Sequence, residues 1–261
     1  MKTFVAFLDI LGFKDLVDKN SGDDLIEIYQ SAFEFNYKAS FLAMEEVKRP
    51  DSGAVHSLII SDSILVWSDN DGFNSFVEIL MTVKFLVQSS IMVGMPLRGC
   101  LHYGELVELE SSKVSKSSLR NVPIMLGKGI TAAYTAEGLQ NWSGCIVSNE
   151  AIDRYLELFE DGAISLKDLV ELEVLIQYKV PMKKGQIRDL YAINWLLNKS
   201  IKPPTAKMIR ESFKAYGKDI SSWEVEEKIK NTIDFVKFCA RDRQRRERLE
   251  RIGATKGRPN A

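Results

Sequence analysis

Two aspartates stand where a bare carboxylate is costly. Asp9 closes the apolar run Phe4-Val5-Ala6-Phe7-Leu8, and Asp62 lies between Ile59-Ile60-Ser61 and Ser63-Ile64. Such a group needs an ionic partner or a metal. Phe4 to Leu8 reads as a buried strand. Val55 to Ile60 and Ile64 to Trp67 read as two more, with Ser61-Asp62-Ser63 as a hairpin tip. If the first strand neighbours the hairpin, both carboxylates meet at one edge of a sheet. Two carboxylates plus phosphate oxygens suit magnesium or manganese. Two such ions can stabilise both the attacking and the leaving oxygen of a phosphoryl displacement. Gly12 and Phe13 open a helix just after Asp9, so its first N–H groups face a phosphate. The plainer alternative is that Asp9 caps that helix and Asp62 only makes a turn.

The elements that must position these residues follow from the pattern. A helix starts at Phe13, and a second shows helical spacing from Asp23 to Val47, ended by Pro50 to Gly53. After the hairpin, Phe73 to Val93 is an amphipathic helix stopped by Gly94 and Pro96. Leu97 to Leu109 is a strand pair or one long strand, followed by a Ser/Lys loop. Ile124 to Leu126 is a short strand, Gly129 to Glu137 a helix, and Cys145 to Ser148 a strand. The order βα, ββ, α, β, α, β implies an α+β fold, one sheet with helices packed on one face. Residues 151 to 200 alternate helix and strand. Pro203-Pro204 breaks the chain, Glu211 to Ala240 is helical, and Ala254 to Ala261 are expected to be disordered.

Composition excludes whole classes. The chain has 261 residues, 45% hydrophobic and 27% charged, an ordinary globular balance. Its net charge of −1 hides a division: nine basic and three acidic residues follow from Lys237 on, leaving 1–236 at −7. Cys100, Cys145 and Cys239 are odd in number and form no CxxC, so neither a disulfide framework nor a zinc site is expected. Asn74, Glu78, Lys84 and Gln88 interrupt the longest apolar helix, which argues against a membrane span. A cytoplasmic protein is the expectation. The arginines from Arg241 to Arg251 alternate with Asp242, Glu247 and Glu250 at helical spacing. A solvated, self-paired helix accounts for them better than a nucleic-acid partner.

At Phe7-Leu8-Asp9-Ile10-Leu11-Gly12-Phe13 the chain resembles the class III nucleotidyl cyclases. Three further pieces follow in the family's order. They are the hairpin tip Ser61-Asp62, the strand Leu97-Arg98-Gly99 through His102 to Gly104, and the helix start Gly127-Lys128-Gly129-Ile130-Thr131 through Tyr134. The match covers about residues 3 to 150. It implies a ferredoxin-like βαββαβ palm within a catalytic domain of residues 1–200, followed by a helical extension, 201–261, with a basic and partly disordered tail. It implies that Asp9, the Ile10 carbonyl and Asp62 hold two divalent ions, Mn or Mg, and that Leu11, Gly12 and Phe13 cradle the phosphates of a nucleoside triphosphate. It further implies a homodimer whose active sites are completed across the interface.

The departures are as informative. Where purine cyclases carry base-reading Lys and Asp, this chain has Leu58 and Ile124. The family's Asn and transition-state Arg fall on Thr131 and Thr135. Arg98 and Lys128 are the nearby candidates to replace that catalytic Arg, Arg98 the better by motif position; a structural Arg paired with an acidic neighbour is the alternative. The whole pattern is most similar to the bacterial pyrimidine cyclases of Pycsar anti-phage defence, which share the Asp-Ile-Leu-Gly-Phe opening and the Ser-Asp-Ser hairpin. The resemblance implies conversion of UTP or CTP to the 3′,5′-cyclic monophosphate, read by a separate cyclic-nucleotide effector. His56, on the same strand face as Leu58, is the candidate base reader; a sheet histidine satisfied by backbone is the alternative. A rival reading of Thr131 and Thr135 is a degenerate cyclase domain that binds nucleotide without catalysis.

Overall fold

The fold is built around one strand, β1 (Lys2–Ile10), whose apolar run is long enough to be buried on both faces. In the computed structural model, which describes residues 1–30, 54–109, 124–160, 162–196 and 202–256, β1 lies between β3 (Ser63–Ser68) and β4 (Leu97–Glu105), antiparallel to both. β2 (Val55–Ile60) pairs antiparallel with β3 on the outside. The order β2-β3-β1-β4 is that of a ferredoxin-like palm, and it brings the hairpin beside β1 as the sequence required. Beyond β4 the sheet continues with β7 (Gly144–Val147), parallel to β4, and then with the antiparallel pair β9 (Ile187–Ile193) and β8 (Leu175–Pro181). Residues 97–109 are two strands: β5 (Val107–Leu109) leaves the main sheet and pairs with β6 (Ile124–Leu126).

Helix α1 (Phe13–Lys19) follows β1, and α2 (Gly22–Ile28) starts from a Ser21–Asp24 capping box. The remainder of the helix expected to Val47, with Phe33, Phe35, Tyr37 and Phe41, lies outside the described residues. Helix α3 (Phe73–Met92) is long and apolar enough to cross a membrane on length and composition. Phe76, Ile79, Leu80, Val83 and Val87 are instead buried against the even residues of β1, which makes it a core helix. On that face also pack α5 (Asn149–Glu157), through Tyr155 on Phe76, and the C-terminal helix, through Phe235 on Trp142 and Trp195. One helix, α4 (Lys128–Gly138), is added on the opposite face, where Ile130 and Met125 join Val5, Leu65 and Trp67 in a second core cluster.

The stretch Glu211 to Ala240 is not one helix. It divides into α7 (Ala206–Lys214) and α8 (Trp223–Lys256), with Tyr216 and Gly217 at φ of 61° and 77°. Tertiary bonds hold the break open: Tyr216 Oη donates to the Val93 carbonyl and Lys218 Nζ to the Gly94 carbonyl, both at 2.6 Å. Helix α8 runs on to Lys256, past the Ala254 expected to begin the disordered tail; residues 257–261 lie outside the described residues. Its Ile229, Phe235, Val236 and Cys239 share one buried cluster with β1, so the C-terminal helix belongs to the sheet's own core. Two of its arginines dock on α6 (Leu166–Glu171) and the turn after it. Arg243 Nη2 lies 2.7 Å from the Glu173 carboxylate, and Arg246 donates to the Val170 carbonyl. All three cysteines are free and buried.

Candidate active site

Register alone gathers most of the site. Asp9 sits opposite Ser63 on β3 and opposite Arg98 on β4, while Trp67 and Leu65 sit opposite His56 and Leu58. Residues directly opposite share a face of the sheet. Val5, Phe7 and Asp9 therefore share theirs with Arg98, His56 and Leu58, and this is the face that α4 crosses. The Phe7 ring meets Tyr134 of α4 edge-on at 5.2 Å. The crossing is close because both backbones are bare there: a Cβ on Gly104 would stand 2.8 Å from Gly129 Cα.

Asp62 is stitched to the end of β1, since its carbonyl accepts the Ile10 N–H at 2.8 Å. Ser61, at φ 58°, makes the turn. Tyr29 donates its hydroxyl to the Ser61 carbonyl, which sets an aromatic ring beside the hairpin tip. No side chain caps α1, so Asp9 has no capping role.

The Asp9 carboxyl is raised to about 6, first by burial, then by the charges of Glu137 and Asp62; Arg98 and Lys183 pull against them. Arg98 Nη2 stands 3.5 Å from Asp9 Oδ2. Its Nε bonds the Glu137 carboxylate, and its Nη1 donates to the Gln140 carbonyl at 3.1 Å. Arg98 is 7% exposed and Glu137 2%, so this is a buried ion pair packed behind Asp9. Burial pushes the Glu137 carboxyl up while Arg98 holds it down. Glu137 is a site residue that motif reading missed. Its signal was present: it continues the stripe Gly129-Ala133 at four-residue spacing, a carboxylate on the face of α4 that turns inward. Lys183, in the turn between β8 and β9, has no such signal.

Of the three residues expected to cradle phosphates, one has its N–H already bonded. The Leu11 N–H is committed to the Pro96 carbonyl at 2.9 Å, so Leu11 cannot offer it to a phosphate. Gly12 and Phe13 remain, at a turn that needs the positive φ of Gly12, 77°. His56 and Leu58 lie on the Asp9 face, but His56 is bonded to Asp69 and stacked on Trp67 at 5.5 Å. Its partner is thus a carboxylate and not the backbone. Ile124 sits on the small β5–β6 sheet and is exposed. Thr131 and Thr135 lie on the outer side of α4, their hydroxyls donating to the Gly127 and Thr131 carbonyls at 3.3 and 2.7 Å. His102, further along β4, bonds Ser148 Oγ at 2.9 Å.

Two carboxylates and the Ile10 carbonyl fit a divalent ion that also takes phosphate oxygens. Among the described residues no group of three or more His, Cys, Asp or Glu is placed to hold a metal ion. The Asp9 carboxyl is raised first by burial and only in smaller part by the charges of Glu137 and Asp62, and a cation beside Asp9 and Asp62 would favour its ionised form.

No family model matches the chain, and no curated protein does. Solved structures of similar fold include the adenylyl cyclase CyaB from P. aeruginosa, at 14% identity over 77% of this chain and 97% of that one, TM-score 0.46. Another is the guanylate cyclase domain of RhGC from Catenaria anguillulae in complex with GTP, at 14% identity, 74% and 96% coverage and TM-score 0.46. A third is a bacterial light-regulated adenylyl cyclase, at 14% identity, 83% and 57% coverage and TM-score 0.49. At such identities and scores the likeness identifies neither substrate nor activity.

Proposed function

We propose that the protein is a metal-dependent nucleotidyl cyclase that converts a pyrimidine nucleoside triphosphate, UTP before CTP, to the 3′,5′-cyclic monophosphate and pyrophosphate. One observation carries the reading: Asp9, near the end of β1, and Asp62, in the turn bonded to that end, lie beside the N–H groups of Gly12 and Phe13, which have no backbone partner among the described residues. In the reaction the ribose 3′-oxygen bonds to the α-phosphorus. The bond from that phosphorus to the β-phosphate oxygen breaks, pyrophosphate leaves with the electron pair, and the hydroxyl proton passes to solvent.

Asp9, Asp62 and the Ile10 carbonyl would hold two Mn or Mg ions, which would supply Lewis acidity to the attacking and leaving oxygens. Arg98 and Glu137 fix the Asp9 carboxylate from behind, so Arg98 serves as a positioning residue. Gly12 and Phe13 donate to phosphate oxygens. His56 and Leu58 border the base; the apolar residues Leu58 and Ile124 suit a pyrimidine better than purine-reading side chains would. The chain works as a cytoplasmic homodimer with composite sites, and its product is a messenger for a separate effector in anti-phage defence. The deciding assay presents ATP, GTP, UTP and CTP with manganese and identifies products by mass spectrometry. A cyclic nucleotide from ATP with none from UTP or CTP overturns the pyrimidine assignment.

A further inference from the structure

The C-terminal extension reaches back to the turn between β1 and α1. At Tyr216 and Gly217 the chain takes φ of 61° and 77°, and Lys218 then turns inward to 4% exposure. Its stem runs under Gly12: a Cβ on that glycine would stand 2.9 Å from Lys218 Cδ. The stem is pinned at its far end, because Nζ donates to the Gly94 carbonyl at 2.6 Å. Two residues on, the Pro96 carbonyl takes the Leu11 N–H at 2.9 Å. The segment 94–96 therefore holds the turn at Leu11, and Lys218, tied to the same segment, holds it at Gly12.

The extension also grips the helix that follows the turn. Asp15 of α1 accepts the Asp219 N–H at 2.7 Å, and Asn20, just past α1, donates to the Tyr216 carbonyl at 2.9 Å. Tyr216 Oη closes the clamp on the Val93 carbonyl. An apolar side chain of similar length could fill the space under Gly12 without the cost of taking an ammonium out of water. Lys218 bears that cost with no ion pair among the described residues, and its one side-chain hydrogen bond is to a carbonyl. That bond sets where the stem lies, and the stem sets how far the bare Gly12 backbone can sink.

We infer that Lys218 is a positioning residue for the Gly12 turn, which makes the C-terminal extension a working part of the catalytic unit. The inference rests on the cyclase reading above, in which the Gly12 and Phe13 N–H groups donate to phosphate oxygens. Lys218 touches no substrate. It acts through the backbone of the turn, and a turn that has lost it aims those donors less well at the phosphates.

The test measures kcat, KM and inhibition by pyrophosphate for full-length wild type, Lys218→Met, Lys218→Ala and Tyr216→Phe, with manganese and the preferred triphosphate. Lys218→Met keeps a stem and loses the bond to Gly94. Its KM is expected to rise about tenfold, with kcat within about threefold of wild type. Lys218→Ala loses stem and bond together and raises KM further. The pyrophosphate inhibition constant rises by the same factor as KM in each, because the same turn holds phosphate oxygens of substrate and product. Lys84→Met is the control: Lys84, earlier on α3, bonds the Glu173, Asn194 and Leu196 carbonyls, so its variant loses stability and keeps its kinetic constants. Where Lys218→Ala melts early, Lys218→Met and Tyr216→Phe carry the test, the latter with a KM rise of about threefold. A Lys218→Met KM within about twofold of wild type, or an equal rise in Lys84→Met at matched stability, overturns the inference alone. Wild-type protein that cyclises none of the four triphosphates overturns the cyclase reading and the inference together.

Discussion

Arg98 on β4 and Glu137 on α4 form an ion pair buried behind Asp9, and through it the strand that carries Asp9 is tied to the helix that crosses it. Breaking such a pair leaves an uncompensated charge in a place water cannot reach. Arg98 keeps two weaker partners, Asp9 at 3.5 Å and the Gln140 carbonyl at 3.1 Å. Glu137→Ala is therefore expected to cost about 3 kcal/mol in urea denaturation. Glu137→Gln, which retains an acceptor, costs about half as much. Equal stability of the alanine variant and wild type contradicts a structural ion pair here.

Asp62→Ala separates the chemistry from the fold. Asp62 raises the Asp9 carboxyl by repulsion, so its removal leaves metal-free stability unchanged or slightly higher. Product formation is expected to vanish. A ligand at a hundredfold excess over its Kd stabilises a fold by about 2.7 kcal/mol, and the manganese-induced rise in Tm seen for wild type should be absent in the variant. A full manganese response in Asp62→Ala removes Asp62 from the ligand set.

Much of this was legible in the sequence, for reasons that differ by element. β1, the hairpin and α3 announce themselves because apolar period and turn residues agree, and the register then brings Asp9, Asp62 and Arg98 together. The pairing of Arg98 with Glu137 was harder to read, because it joins a strand to a helix 39 residues away. The break at Tyr216 was hidden because its cause is tertiary: bonds to Val93 and Gly94 outweigh the helical preference of the flanking residues. Leu11 was read as a phosphate ligand because nothing local shows that Pro96 takes its N–H.

Gly104→Ala tests the close crossing of β4 and α4. The added methyl would stand 2.8 Å from Gly129 Cα, and backbone cannot yield as a side-chain tip does. A loss of about 2 kcal/mol is expected from overpacking. Because α4 also carries Glu137 and the threonines, kcat should fall in the same variant even where it remains folded. Retention of both stability and kcat shows that the helix can slide outward without consequence.

The pH dependence of stability turns on buried groups of opposite sign. Lys84 and Lys218 are lowered by burial to about 8, from an ordinary value of 10.5. Between those values the unfolded chain holds protons that the folded chain has lost, so stability rises with pH, by at most about 1.4 kcal/mol per unit for each lysine. The buried thiols of Cys100, Cys145 and Cys239 are all pushed up from an ordinary value of 9.0. Above that pH the unfolded chain sheds thiol protons that the folded chain keeps, and stability falls. Three thiols oppose two lysines, and near pH 10 the raised Tyr29 and Tyr178, each at about 12, join the thiols. Over the alkaline range, stability measured by urea denaturation should therefore climb from pH 8, peak near 9 and decline beyond it. Replacing all three cysteines with alanine should carry the rise on toward pH 10. A wild-type curve that keeps rising through pH 10 means that the thiols ionise in the folded protein as they do in the unfolded chain.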